Sequence, residues 1–227
     1  MCGLYNLNHT PREVASYFEP REAPSFPPRD VVAPGQPMGI IRNQDKLDNP
    51  EREFALVRWG FVPSWAKEVR PGKPLINARS ETITEKPSFR NAIKRRRCLV
   101  PASGFFEWKG DIPGRKQPYF VPRANGELIG FAGIWEHWMG ADGSELESAA
   151  IITTAANKTL EPIHHRMPAV IHRDQFAEWL DAETPAEKAT AMLVPAEDDY
   201  FDPRPTEMKK PQRKPKPEKK PDQLDLF

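Results

Sequence analysis

Short apolar runs punctuated by Gly, Pro, Asn and Asp make up most of the chain: "FALVRWGFVP" at 54–63, "RCLVPASGFFEW" at 97–108, "QPYFVP" at 117–122, "ELIGFAGIW" at 127–135, "SAAIITTAA" at 148–156 and "MPAVIH" at 167–172. Compact or alternating apolar positions over such lengths predict β-strands, because successive strand side chains point to opposite faces. Four further stretches carry apolar residues at helical spacing, with Pro or Asp near their openings: "PREVASYF" at 11–18, "PSFRNAIKRR" at 87–96, "RDQFAEWL" at 173–180 and "PAEKATAML" at 185–193. Together they predict an α+β domain whose mainly antiparallel sheet curls into a barrel-like surface flanked by helices.

The pattern stops near residue 202. Beyond it, Pro203, Pro205, Pro211, Pro215, Pro217 and Pro221 alternate with Lys and Arg, and apolar residues nearly vanish. Between Pro203 and Pro221 eight basic residues face Glu207 and Glu218, so this segment carries +6 in a chain whose formal net charge is +1. Such a composition cannot bury enough surface to offset its ordering entropy, so residues 203–222 are expected to form a disordered tether behind a single domain at 1–202. The last five residues, "QLDLF" at 223–227, return to apolar character. A tether ending in apolar anchors suits a partner's groove. Through Gln223, Leu224, Leu226 and Phe227 this pentapeptide resembles the motif by which bacterial DNA polymerases and repair proteins dock on the replicative sliding clamp.

No charged leader precedes an apolar segment, and no apolar run reaches the ~20 residues that span a bilayer, so a cytosolic chain with no membrane partner is expected. Cys2 and Cys98 are the only thiols. They support neither a disulfide framework nor metal-site spacing, so no metal or other cofactor is expected. Sulfur chemistry then falls to one cysteine acting alone. Removal of Met1 ahead of a small residue leaves Cys2 with an α-amine, pKa about 8, beside a thiol of about 8.5. An amine attacks an aldehyde to give a Schiff base, and a neighbouring thiol can close on the imine carbon as a five-membered thiazolidine.

Other stretches supply partners for such chemistry. In "INARSETI" at 76–83, Asn77 offers a donor and an acceptor, Arg79 a guanidinium for phosphate, and Glu81 a carboxylate whose partner the sequence leaves open. In "RWGFVPSWAK" at 58–67, Trp59 reads as core, whereas Trp65 lies in a Pro-Ser-Trp loop suited to base stacking. Glu107 sits between Phe106 and Trp108, an apolar setting suited to a proton-transferring carboxyl. "IHHRMP" at 163–168 places His164, His165 and Arg166 ahead of a strand, a polar cluster with a second phosphate candidate in Arg166.

Met-Cys-Gly at the start, "APGQ" at 33–36, "RWGFVPSWAK", "NARSET", "KPSFRNAIKRRRCLVPASGFFEW" and "IHHRMP" occur in the order found in the SRAP family, the SOS-response-associated peptidases, and the resemblance covers roughly residues 2–195. It implies covalent capture of abasic sites in single-stranded DNA, with a thiazolidine formed between Cys2 and the ring-opened sugar. It further implies that Asn77 orients the cysteine and the sugar, that Glu107 moves protons, and that His164 assists beside the lesion phosphate. Two positions depart from the family's frequent pattern: Leu4 stands where an Arg is common, and Val31 where an Asn precedes the Ala-Pro-x-Gln segment. Two other readings stand beside capture. One is a cysteine peptidase using Cys2, His164 and Glu107 or Asn77, with Met1 itself as a possible substrate. The other is a noncatalytic adaptor for the clamp and single strands. A monomer is the simplest expectation, and an accompanying lyase activity is left open.

Overall fold

A computed structural model describes residues 2–208 apart from 23, 45–50, 70–73, 111 and 113–115. Most of the expected tether and the whole 223–227 motif lie outside the described residues. In chain order the elements are β1 (Leu4–Leu7), α1 (Pro11–Phe18), β2 (Arg29–Val32), β3 (Pro37–Asn43), β4 (Arg52–Trp59), β5 (Asn77–Arg79), α2 (Ala92–Arg95), β6 (Arg97–Ala102), β7 (Gly104–Lys109), β8 (Gln117–Pro122), β9 (Ile129–Met139), β10 (Glu145–Ala155), β11 (Arg166–Pro168), α3 (Phe176–Leu180), α4 (Ala186–Ala191) and β12 (Arg204–Pro205).

Five strands close into a barrel in the order β10-β4-β3-β6-β9, with β9 pairing back onto β10. Every pairing in the ring is antiparallel except β4 with β10. Both faces of this ring are buried: the register places Trp59, Ile40, Phe131 and Ile151 on one face and Ile41 and Leu99 on the other, all of them fully buried. Each contributes about 1.5–3 kcal/mol when removed from water. A second, open sheet runs β12-β8-β7-β1-β2. β10 outlasts the barrel: its later residues pair with β5 (Ile151 with Asn77, Thr153 with Arg79) and with β11 (Thr153 with Pro168, Ala155 with Arg166). One strand thereby carries both the Asn77 and the Arg166 segments.

Local chemistry explains the element ends. Thr10 caps α1 in a reciprocal box, its hydroxyl accepting from the Glu13 N–H and the Glu13 carboxylate accepting from the Thr10 N–H at 2.6 Å. Val14 and Phe18 form the buried face of this helix. β4 ends where Gly60 adopts φ 136°, a conformation open to a residue without Cβ. "APGQ" is a tight turn, with Gly35 at φ 83° and the Gln36 side chain accepting from the Ala33 N–H at 3.1 Å.

The α+β, mainly antiparallel, barrel-like architecture agrees with the hydrophobic pattern, but four details differ from it. "RCLVPASGFFEW" is two strands, β6 in the barrel and β7 in the open sheet, broken at Ser103, whose hydroxyl accepts from the Asn8 N–H at 2.9 Å. β1, β2 and β3 lack a strong local pattern and are held by long-range pairing, β3 with β4 from Pro37–Arg58 to Asn43–Arg52. The helical spacing at 87–96 yields only one short helix, preceded by turns. Finally, the fold continues past residue 202: Arg204 and Pro205 pair with Phe120 and Tyr119 of β8.

Candidate functional site

Pairing of β1 with β7 (Leu4 with Phe106, Tyr5 with Phe105) draws the start of the chain alongside the Glu107 end of β7. β5 arrives from the other side, carried by β10 and anchored where the Trp59 indole N–H donates to the Ile76 carbonyl at 3.0 Å. Strand alternation buries Ala78 and puts Asn77 and Arg79 on the opposite face. From there the Asn77 amide Nδ2 donates to the Cys2 carbonyl at 2.9 Å. Its Oδ1 is buried and accepts no hydrogen bond. The amide therefore grips the backbone of Cys2 while keeping one acceptor for an incoming N–H or O–H.

Cys2 is fully buried. Burial pushes its thiol well above the usual cysteine range, and the Glu107 carboxylate adds to the shift. The thiol is thus protonated near neutral pH, with the Leu4 carbonyl 3.8 Å from Sγ. Glu107, itself buried at 4% exposure, also acts on His164. Partial burial holds the His164 imidazole below its ordinary 6.5, against the opposing pull of Glu107. The Arg166 backbone N–H donates to His164 Nδ1 at 2.9 Å. The Arg166 carbonyl lies farther from the same Nδ1, at 3.2 Å, so a neutral ring that accepts the shorter bond carries its proton on Nε2. His165 stacks on His164 with ring centroids 4.4 Å apart. Cys2, Glu107 and His164 are therefore electrostatically linked, and Asn77 touches the first of them.

Three other residues singled out by sequence have different surroundings. Arg79 is exposed. Arg166 is buried, bridged to Glu81 through Nη1–Oε1 at 2.5 Å and Nη2–Oε2 at 2.9 Å, with Nη2 also donating to the Thr153 carbonyl at 2.6 Å. Glu81 and Thr153 hold this guanidinium, whose Nε is buried with no hydrogen-bond partner, and it is the partner of Glu81 that the sequence left open. Trp65 is 62% exposed on the wall of a groove of about 750 Å³, its indole N–H directed at the Pro87 carbonyl at 3.3 Å. Sequence reasoning missed Thr153; the pair Thr153-Thr154 within the otherwise apolar stretch 149–156 was the available signal. Leu4, the first departure, is partly buried in β1, and Val31, the second, is exposed on β2. Cys98 is fully buried in β6, behaving as a small hydrophobe. Among the described residues no three His, Cys, Asp or Glu side chains are grouped to hold a metal ion.

Comparison with known proteins finds relatives over most of the chain. The abasic site processing protein YoqW of Bacillus subtilis is 34% identical over 203 residues, spanning 88% of this chain and 89% of its own. The abasic site processing protein HMCES of Gallus gallus is 38% identical over 185 residues, 70% of this chain and 55% of the relative. Among solved structures, a Bacteroides thetaiotaomicron protein superposes with a TM-score of 0.79 at 25% identity, covering 91% of this chain and 92% of its own. A Bordetella bronchiseptica protein gives 0.77 at 26% identity over 91% and 100%. The family model for SOS response associated peptidase (SRAP) matches residues 1–209, and the chain belongs to that family.

Proposed function

We propose that this protein captures abasic sites in single-stranded DNA covalently, through Cys2 once Met1 is removed. The relatives' name, abasic site processing protein, supports the reaction class. The observation that carries the reading is the convergence of Asn77 and Glu107, distant in sequence, on the second residue of the chain.

In this reading the free α-amine attacks the C1′ aldehyde of the ring-opened sugar, and the carbinolamine loses water to an imine. The Cys2 thiol then adds to the imine carbon, its proton passing to the nitrogen. Aminothiol plus aldehyde gives thiazolidine plus one water, with no oxidant or reductant. Glu107 is the group beside Cys2 that takes and returns protons, and Asn77 Oδ1 accepts from the amine or a sugar hydroxyl. His164, neutral with its proton on Nε2, donates toward the lesion phosphate. Arg79, exposed on the same face of β5 as Asn77, pairs with a neighbouring phosphate, and Trp65 stacks on an unpaired base. Arg166 contributes through Glu81 and the His164 segment.

Peptidase chemistry fits this environment poorly. A nucleophilic thiolate needs a lowered thiol pKa, whereas burial and Glu107 both raise that of Cys2. In capture the α-amine makes the first bond to the aldehyde, and the thiol closes afterwards on an activated imine carbon as its proton passes to the nitrogen, with Glu107 beside it.

The test is a DNA gel shift resistant to SDS and heat, using uracil-containing single strands pretreated with uracil glycosylase. The wild type forms the adduct and Cys98→Ala retains it. Cys2→Ala and Cys2→Ser, which both keep the terminal amine but lack the thiol, yield an adduct only when borohydride reduces the imine. A heat-stable adduct from Cys2→Ala without borohydride refutes the assignment. The same reading places the 223–227 motif on a sliding clamp: a chain truncated after Pro221 loses clamp binding while abasic-site capture continues.

A further inference from the structure

Residues 86–97 hold six cations and no acidic residue: Lys86, Arg90, Lys94, Arg95, Arg96 and Arg97. Two of them are used internally. Arg96 pairs with Glu136 at 2.8 Å, and buried Arg97 donates to backbone carbonyls of Ile93, Lys94, Trp179 and Thr184. The other four are exposed, and among the described residues none has an acidic partner. The segment presents them in order. Bonds from the Arg90 N–H to the Lys86 carbonyl and from the Ile93 N–H to the Phe89 carbonyl, both 3.0 Å, wind it helically into α2. Phe89, Ala92 and Ile93 face the core. Lys86, Arg90 and Lys94, four residues apart, are all exposed along this run of turns and helix.

This ridge rims the groove described above. Trp65 reaches Pro87, and Ser88 lines the groove with Pro63, Leu75, Arg58 and Lys67. A cleft with an exposed indole, lined by the cations Arg58 and Lys67 and the carboxylate Glu68 and bordered at Ser88 by the segment that carries Lys86, Arg90 and Lys94, matches a chain of flat rings joined by anions. The rest of the chain favours a local site: with +6 in the 203–221 segment and +1 overall, the remainder is −5, so attraction to phosphate cannot be a property of the whole surface.

We infer that Lys86, Arg90 and Lys94 form a phosphate track for the single strand that passes Trp65, extending the DNA contact beyond the lesion. This rests on the capture reading above, and the two are separable. Anisotropy of labelled, undamaged oligo-dT is measured with the full chain between about 50 and 200 mM salt. The triple variant Lys86→Ala, Arg90→Ala, Lys94→Ala flattens the slope of log affinity against log salt by about 2, since each phosphate contact on a single strand contributes about 0.7. Exposed cations elsewhere, Arg12→Ala, Lys158→Ala and Lys188→Ala together, leave the slope unchanged. Equal slopes for the two triple variants and the wild type overturn the track. Poly-glutamate competing as well as oligo-dT also overturns it, pointing to an acidic protein partner. If the slope shifts but wild-type protein forms no heat-stable adduct with abasic DNA, the track stands and capture fails.

Discussion

At the scale of single residues, the site works by contrast between neighbours: a thiol kept protonated, an imidazole kept neutral and an amide with one hand occupied. Asn77 is the most exposed to test. Asn77→Ala removes the bond to the Cys2 carbonyl and the spare acceptor, and the adduct should form roughly 10–100-fold more slowly, a cost of about 1.4–2.7 kcal/mol in the barrier. Thermal unfolding should change by only about 1 kcal/mol, because the residue is partly exposed. Single-turnover gels and a melting curve separate the two. His164 gives a pH signature. Its imidazole is held below 6.5, so the neutral form persists to more acidic pH than a free histidine. An acid limb in the crosslinking rate that belongs to His164 should therefore fall below pH 6.5 and disappear in His164→Ala; a limb at or above 6.5 contradicts the assignment.

At the scale of elements, the site depends on ties that a linear pattern does not display. Arg97, the first residue of β6, reaches the end of α3 and the residues after it, its Nε donating to the Trp179 carbonyl at 2.7 Å and Nη2 to the carbonyls of Asp181 and Thr184. A Lys has three donors on one atom and cannot reproduce this fork. Arg97→Lys should destabilise the fold by about 2–4 kcal/mol in denaturant unfolding. A second tie is the Glu81 pair with Arg166. Glu81→Gln leaves a buried guanidinium without its carboxylate, loosening β11 and the His164 segment behind it. Its adduct formation should slow more than its stability falls, and a Glu81→Asp variant should recover part of the rate, where a purely structural role would move both together.

At the scale of the whole molecule, titrations add up to a stability optimum near neutral pH. The Arg166 guanidinium lowers the Glu81 carboxyl below 4.5, and burial lowers His164 below 6.5. The unfolded chain therefore takes up protons first, and stability falls as pH drops through these ranges. Burial raises the Cys2 and Cys98 thiols above 9 and Tyr5, Tyr17 and Tyr200 above 10, so the unfolded chain loses protons first and stability falls as pH climbs past about 8.5, where free thiols ionise, and further past 10. The melting temperature should peak between about pH 7 and 8 and decline on both sides.

The legible parts of this protein are those in which a short window contains its own cause. α1 is readable because Thr10, Pro11, Glu13, Val14 and Phe18 supply cap, start and apolar face within nine residues. β8 and β10 carry enough apolar or β-branched residues to announce themselves, and Cys2, Asn77, Glu107 and His164 are recognisable as chemistry-bearing types in distinctive settings. What the windows could not contain was decided by pairing across the chain. Ring closure of β9 on β10, the splitting of 97–108 between two sheets and the joining of β12 to β8 each depend on partners many residues away. So does the fate of Arg166, a plausible phosphate ligand by type, which the meeting of β11 with the turn after β5 commits to Glu81. Side-chain type and local period are properties of neighbours in sequence; burial, ionisation and which charge meets which arise when the sheets bring distant strands within hydrogen-bonding distance.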